Sequence, residues 1–177
     1  MPGWMAASGA LALAMLMLGC QSRPLPPVAM AQQVDLPRFM GDWYVIASIP
    51  TIFERDAWNA VERYQLREDG RIDTTFTFLK GGFDGERKTM TPVATVREGH
   101  GNALWGMQFL WPFKADFRIS WLDEDYRMTV IGREKRDYAW IMARTPDISE
   151  ADYDRLVAFL ARQGYDVSAL RKVPQRW

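Results

Sequence analysis

The chain has 177 residues, with 22 basic and 22 acidic side chains, a formal net charge of zero, one histidine and one cysteine. That length suits one domain with a proper core, and neutrality speaks against a nucleic-acid partner, which needs a basic surface to neutralise phosphates. A single Cys excludes an intrachain disulfide framework and a Cys-rich zinc site, and a single His excludes two-histidine metal motifs. What remains is aromatic-rich, with eight Trp, nine Phe and six Tyr, and poor in catalytic groups. His100 is the only imidazole base, and no cofactor is expected.

Residues 6–18 form an uncharged apolar run that stops at Gly19-Cys20. This is the length of a signal-peptide h-region, short of the ~20 residues a spanning helix needs. Met17-Leu18-Gly19-Cys20 resembles the lipobox of bacterial lipoproteins, in which the Cys is acylated and becomes the mature N-terminus. Met stands where Leu is commonest, and no Lys or Arg precedes the run. Acyl chains on one residue give stable anchoring at roughly 0.8 kcal/mol per buried CH₂. Gln21 after the cysteine resembles the outer-membrane sorting pattern. Pro24, Pro26 and Pro27 read as an extended tether. The expected organisation is a signal peptide over 1–19, an acylated Cys20 with its tether over 20–34, and a folded domain over 35–177.

From Leu36 onward the dominant period is two. Ile72, Thr74, Phe76 and Phe78 share a face, as do Trp105, Met107 and Phe109, then Phe117, Ile119 and Trp121, and later Tyr138, Trp140 and Met142. Turn residues stand between them at Glu68-Asp69-Gly70, Lys80-Gly81-Gly82, Gly99-His100-Gly101 and Asp123-Glu124-Asp125. Strands are expected near 42–49, 59–67, 71–79, 87–97, 103–111, 116–122, 126–132 and 137–143. Eight short strands joined by tight turns predict an all-β, antiparallel up-and-down barrel. The period then changes. Ser149 to Asp152 has the form of a capping box, Tyr153, Leu156, Val157 and Leu160 follow at helical spacing, and Gly164 sits at the C-terminal cap. One amphipathic C-terminal helix should pack on the outside of the barrel, with a short final strand within Ser168 to Val173.

Alternation identifies the apolar faces, not whether a hole remains between them. A solid core and a ligand cavity fit the pattern equally. Small residues on the inward faces, at Ala47, Ala60, Thr74 and Ala94, make room, and Met107, Met128 and Met142 add adaptable lining. The candidate lining also includes Glu62, Tyr64, Phe76, Phe78, Trp105, Phe109, Phe117, Ile119, Trp121, Val130, Tyr138 and Trp140. Aromatics in the loop 50–58 and in Phe109 to Phe113 border the expected open end, where they suit a membrane or a homodimer contact.

Gly41-Asp42-Trp43 at the start of the first strand resembles the G-x-W signature of the lipocalin family, and Arg144 after Trp140-Ile141-Met142-Ala143 resembles its third motif. Asp123-Glu124-Asp125-Tyr126 is a looser version of the second, where T-D-Y is usual. With the lipobox, and with Ile52 to Arg55, Tyr64 to Gly70, Trp111 to Phe113 and Asp137-Tyr138, the resemblance narrows to the bacterial outer-membrane lipoprotein branch and its apolipoprotein D-like relatives. It spans about Leu36 to Val173. It implies that Trp43 and Arg144 pack together at the closed end, and that the barrel holds fatty acids or lysophospholipids for storage or transport in membrane maintenance.

Two further readings compete: a structural or interaction lipoprotein with a filled barrel, and an enzyme on the same scaffold. The second finds no support, because His100 lies between two glycines in a turn with no nucleophile placed beside it by motif. Glu62 is anomalous, since period two places it on the inward face with Tyr64. A carboxylate there is costly unless paired, protonated or wet. Either it reaches water near the mouth or through a register shift, or it contacts a cationic headgroup.

Overall fold

The computed structural model describes residues 25–177. Cys20, the expected signal peptide and the start of the tether lie outside the described residues. The ten strands are β1 (Gly41–Ile49), β2 (Ala57–Leu66), β3 (Arg71–Lys80), β4 (Glu86–Met90), β5 (Val93–Val96), β6 (Leu104–Leu110), β7 (Phe113–Leu122), β8 (Met128–Gly132), β9 (Ala139–Ala143) and β10 (Arg171–Lys172). All pairings are antiparallel, in the order β1-β2-β3-β5-β6-β7-β8-β9, and β1 pairs β9 to close the sheet. Strands β4 and β5 both pair β3 and together make one barrel strand, interrupted at Thr91-Pro92, where proline has no N–H to give the ladder. The barrel therefore has eight strands, and β10 adds a two-residue edge beside β1.

Helix α1 (Leu36–Phe39) precedes β1, and its N-cap Asp35 accepts from the Arg38 N–H. Helix α2 (Glu150–Arg162) is capped by Ser149, whose Oγ accepts from the Asp152 N–H at 3.1 Å. Its buried residues Leu156 and Leu160 lie against the outer face of β1, β8 and β9. The helix thus covers one flank of the barrel, creating a second apolar layer outside it.

That layer reassigns four side chains. Register shifts fall between Val45 and Ala47 in β1 and between Ile119 and Trp121 in β7. Each inserts a residue and inverts the facing beyond it. Val45 opposes Met142 inside the barrel, whereas Ala47 opposes Ile141 and joins the cluster beneath α2. Ile119 opposes Ile131 inside, whereas Trp121 opposes Val130 outside. Ala47, Trp121, Met128 and Val130 are therefore not lumen residues as expected, but packing for the helix. Arg155 of α2 sits 5.2 Å over the Trp121 ring.

Residues 25–34 do not hang free as a tether either. Arg136 Nη2 donates to the Pro26 carbonyl. The Ala29 N–H donates to Gln163 Oε1 at 2.8 Å, the Ala31 N–H to the Ile119 carbonyl at 2.9 Å, and the Val34 N–H to the Gly101 carbonyl at 2.8 Å. Val28 and Val34 are buried. This seam runs down the barrel flank and delivers the chain to α1.

Candidate functional site

The two ends of the barrel are built differently. At the end reached by α1, the β2–β3, β5–β6 and β7–β8 turns, Phe39, Tyr64, Trp105 and Phe117 form an aromatic plug. Trp105 and Phe117 stack at 5.1 Å, and Tyr64 and Phe39 each meet Trp105 edge-on at 5.5 Å. Trp43 is fully buried and donates from Nε1 to the Phe39 carbonyl at 2.8 Å. Arg144 lies 3.8 Å from the centre of the Trp43 ring. Its guanidinium donates to the carbonyls of Asp42 and Arg38 at 2.8 Å and of Phe39 at 3.1 Å. The fork geometry of arginine lets one side chain tie α1 to β1 and cap the indole face. Burial lowers the Arg144 pKa, with Asp42 acting against that shift. Gly41 has φ +93°, a backbone conformation that residues with a Cβ rarely adopt, and this is what the motif glycine supplies.

The opposite end opens into a cavity of about 670 Å³, within the usual range for small-molecule sites. Its wall carries Phe76, Met107, Phe117 and Ala115 from the strands, Tyr138 and Trp140 from β9 and its approach, and Ile52, Phe53 and Phe109 at the rim. Of the expected lining, Glu62, Phe76, Met107, Phe109, Phe117, Tyr138 and Trp140 border this space. Phe78 borders a smaller recess beside it with Lys80 and Lys88. Ala60, Tyr64, Thr74, Ala94, Trp105, Ile119 and Met142 are buried within the barrel without lining the main cavity. Thr74 Oγ1 donates to Met107 Sδ at 3.7 Å, so it props a wall residue from behind.

The polar side chains bordering this space include Thr51, Thr91, Asp116, which is paired with Arg118, and the three described next. Glu62 lines the cavity one inward position above Tyr64 and the plug, so it stands on the floor. Its accessible surface faces the cavity, while protein atoms surround it; burial pushes its pKa up to about 8. The Tyr64 hydroxyl opposes the shift, although Tyr64 Oη makes no hydrogen bond of normal geometry. Glu54, from the β1–β2 loop, is a second raised carboxyl, again through burial, and Trp140 Nε1 donates to its Oε2 at 2.9 Å. Arg133, before β9, lines the cavity with a buried Nε that has no partner, while its Nη1 lies 3.2 Å from Asp137. Sequence reasoning missed Glu54 and Arg133, because both sit in irregular segments where period two gives no facing. Glu54 follows the apolar pair Ile52-Phe53, a faint signal, whereas Arg133 opens the charged run 133–137 and carries none. Among the described residues there is no grouping of three or more His, Cys, Asp and Glu able to hold a metal.

A closed eight-strand barrel, one external helix and an arginine stacked on the buried tryptophan of G-x-W define a lipocalin. The model of the Lipocalin-like domain family matches residues 34–175, and the chain belongs to that family. It is 31% identical to the outer membrane lipoprotein Blc of Citrobacter freundii over 171 residues, covering 94% of each chain. It is likewise 31% identical to Blc of Escherichia coli K12, covering 92% of each. Temperature-induced lipocalin-1 of Arabidopsis thaliana is 31% identical over 80% of each. Among solved structures, insecticyanin from Manduca sexta superposes with a TM-score of 0.66 at 14% identity, covering 84% of this chain and 85% of its own. Apocrustacyanin C2 superposes with 0.65 at 11%, covering 86% and 91%. These two speak for the fold alone.

Proposed function

We propose that this protein is a lipid-binding lipoprotein of the outer membrane, anchored through an acylated Cys20, that holds a fatty acid or lysophospholipid for storage or transport in membrane maintenance. It acts by binding and not by catalysis. The carrying observation is the half-empty barrel: the closed half is filled by aromatic rings, while the open half keeps an apolar space with the Arg133 side chain in its wall. Burying a sixteen-carbon chain there supplies on the order of 12 kcal/mol gross at about 0.8 per CH₂. Micromolar binding needs about 8 kcal/mol, which leaves a few for ordering and association costs.

The chain enters tail first, towards Glu62, which is largely protonated at neutral pH and so adds little repulsion to an anionic ligand. The acidic headgroup stays near the mouth, where the Arg133 guanidinium borders the cavity and attracts a carboxylate or phosphate. A cationic headgroup contacting Glu62 is the less supported arrangement, because it would bury an ammonium against a carboxyl that favours its neutral form. The proposed organisation is residues 1–19 as signal peptide, 20–34 as the acylated cysteine and its connecting segment, and 35–177 as the binding domain. The similarity to outer membrane lipoproteins over nearly the whole chain supports this assignment.

The test is extraction and mass spectrometry of lipids from natively purified protein, followed by displacement of a fluorescent fatty acid. One saturable site per chain, with a change in Trp140 emission, is the expected result. Absence of saturable binding, with no lipid extracted, overturns the reading in favour of a filled-barrel interaction protein.

A further inference from the structure

Among the described residues, five of the eight large exposed apolar side chains lie on two loops at one end, the others being Leu25, Leu66 and Trp177. Ile52 and Phe53 in the β1–β2 loop and Phe109, Trp111 and Phe113 at the β6–β7 hairpin are all exposed, Trp111 by 83% and Phe53 by 70%. Ile52, Phe53 and Phe109 border the cavity, so the group forms its rim. Solvated aromatics on two loops that face each other across the mouth lose free energy to water and mark a surface that is covered in use. The rim alone does not say by what.

The path of residues 25–34 does. Leu25 and Pro26 lie at the mouth end, not at the closed end. Pro26 is held by Arg136 of the β8–β9 loop, and Leu25 packs so near Gly164, after the C-terminus of α2, that a Cβ there would meet Leu25 Cδ1 at 2.8 Å. From there the seam descends the flank, past Ile119, to Gly101 at the closed end. Between Cys20 and Leu25 there are five peptide steps, a reach of at most roughly 18 Å. Leu25 to Val34 adds nine more, roughly 30 Å at full extension. An anchor at Cys20 therefore holds the mouth near its leaflet, and cannot bring the closed end there while the seam stays docked.

We propose that the mouth of the barrel faces the lipid leaflet that carries the Cys20 acyl chains, with Phe53, Trp111 and Phe113 seated in its interfacial zone, so that the cavity opens onto the lipid surface. This rests on the acylation of Cys20 proposed above. The phenyl rings of Phe53 and Phe113 leave water in that zone, and the indole of Trp111 does so while its N–H stays at the headgroups. In this orientation a single-chain lipid passes between leaflet and barrel without crossing bulk water. The closed end, sealed by Trp43 and Arg144, points away.

The test uses full-length acylated protein in vesicles of phosphatidylethanolamine and phosphatidylglycerol. Trp111→Cys and His100→Cys each receive one nitroxide, on the rim and on the exposed β5–β6 turn at the closed end. The proposal expects the label at 111 to be accessible to oxygen and shielded from an aqueous nickel complex, and the label at 100 to behave in the opposite way. Equal aqueous exposure of both labels, or lipid contact at 100, overturns it. Shielding at 111 that persists in detergent and weakens on dilution, with 111-to-111 spin coupling, also overturns it, because a second copy then covers the rim. Mass spectrometry of the Cys20 peptide from the same sample reads the anchor separately. An unmodified Cys20 overturns the acylation reading, and the label pattern then decides whether the rim still meets lipid. An acylated Cys20 with the labels reversed removes only the orientation.

Discussion

The closed half and the open half of this barrel share strands, yet obey different rules. Below Glu62, rings fill the lumen, and the indoles of Trp43 and Trp105 each reach a backbone carbonyl. Above the plug, the wall withdraws, and the cavity carries Arg133 and two carboxyls at raised pKa, Glu54 and Glu62. The lower half spends its aromatics on stability. The upper half keeps a preformed apolar space with a few charged groups at its wall, the usual mark of a site against a core.

If that division holds, the largest effect belongs to the plug. Trp43→Ala removes the ring that joins α1, β1 and Arg144, and should lower the unfolding free energy by about 3–5 kcal/mol in urea titration. Whatever folded protein remains should bind fatty acid with nearly unchanged affinity, since Trp43 does not touch the cavity. A large loss of affinity in the folded fraction would show that the two halves are one unit.

Glu62 is the boundary between them, and pH reads it. Below about pH 4.5 its carboxyl is protonated folded or unfolded. Between about 4.5 and 8 the unfolded chain ionises it while the folded protein keeps the proton. The unfolded state therefore binds fewer protons, and this group lowers stability as pH rises through that window, by up to roughly 1.4 kcal/mol per pH unit. Glu54 adds a decline of the same sign. Glu62→Gln should flatten the wild-type fall between pH 5 and 8 and stabilise the protein at pH 8. Parallel curves for the two proteins would mean that water reaches this carboxyl freely.

Filling the upper half should do the converse of emptying the lower. Ala115→Trp places an indole in the cavity from β7, and is expected to weaken fatty-acid binding at least about 30-fold, or 2 kcal/mol. Because the space is preformed, stability should change by less than about 1.5 kcal/mol. Calorimetric titration and thermal unfolding of the same sample separate the two quantities.

The stretches where sequence and structure agree are those buried on one face. Phe76 and Phe78 in β3 alternate with half-exposed Thr75 and Thr77, and the period states the facing directly. Strand β8 gives no such signal, because all five residues of Met128–Gly132 are buried, between the core and α2. Nothing in Met-Thr-Val-Ile-Gly tells which side is the lumen. The bulges at Ile46 and Ser120 compound this, since one inserted residue carries Ala47 and Trp121 to the outside without altering the composition of the strand. Gly41, Trp43 and Arg144 were legible through their resemblance to the lipocalin motifs, since no periodicity tells that residues so far apart in the chain meet. Glu54 and Arg133 were not, because loops position them and no periodicity governs loops.

The smallest effect is the most specific. Arg133 has a buried Nε without a partner, its Nη1 is engaged by Asp137, and its guanidinium lies 5.2 Å over the Tyr138 ring. The side chain is thus held in place before any ligand arrives, so little ordering cost falls on binding. Arg133→Met keeps the length and the apolar stem while removing the donor. For a fatty-acid anion the lost charge-assisted hydrogen bond should weaken binding about 5- to 10-fold, close to 1–1.4 kcal/mol. For an uncharged monoacylglycerol of the same chain length the change should be under about twofold, because the tail carries the affinity in both cases. Equal losses for the two ligands would place the headgroup elsewhere, and a loss confined to the anion would fix the polar end of the ligand at the mouth, beside the exposed rim.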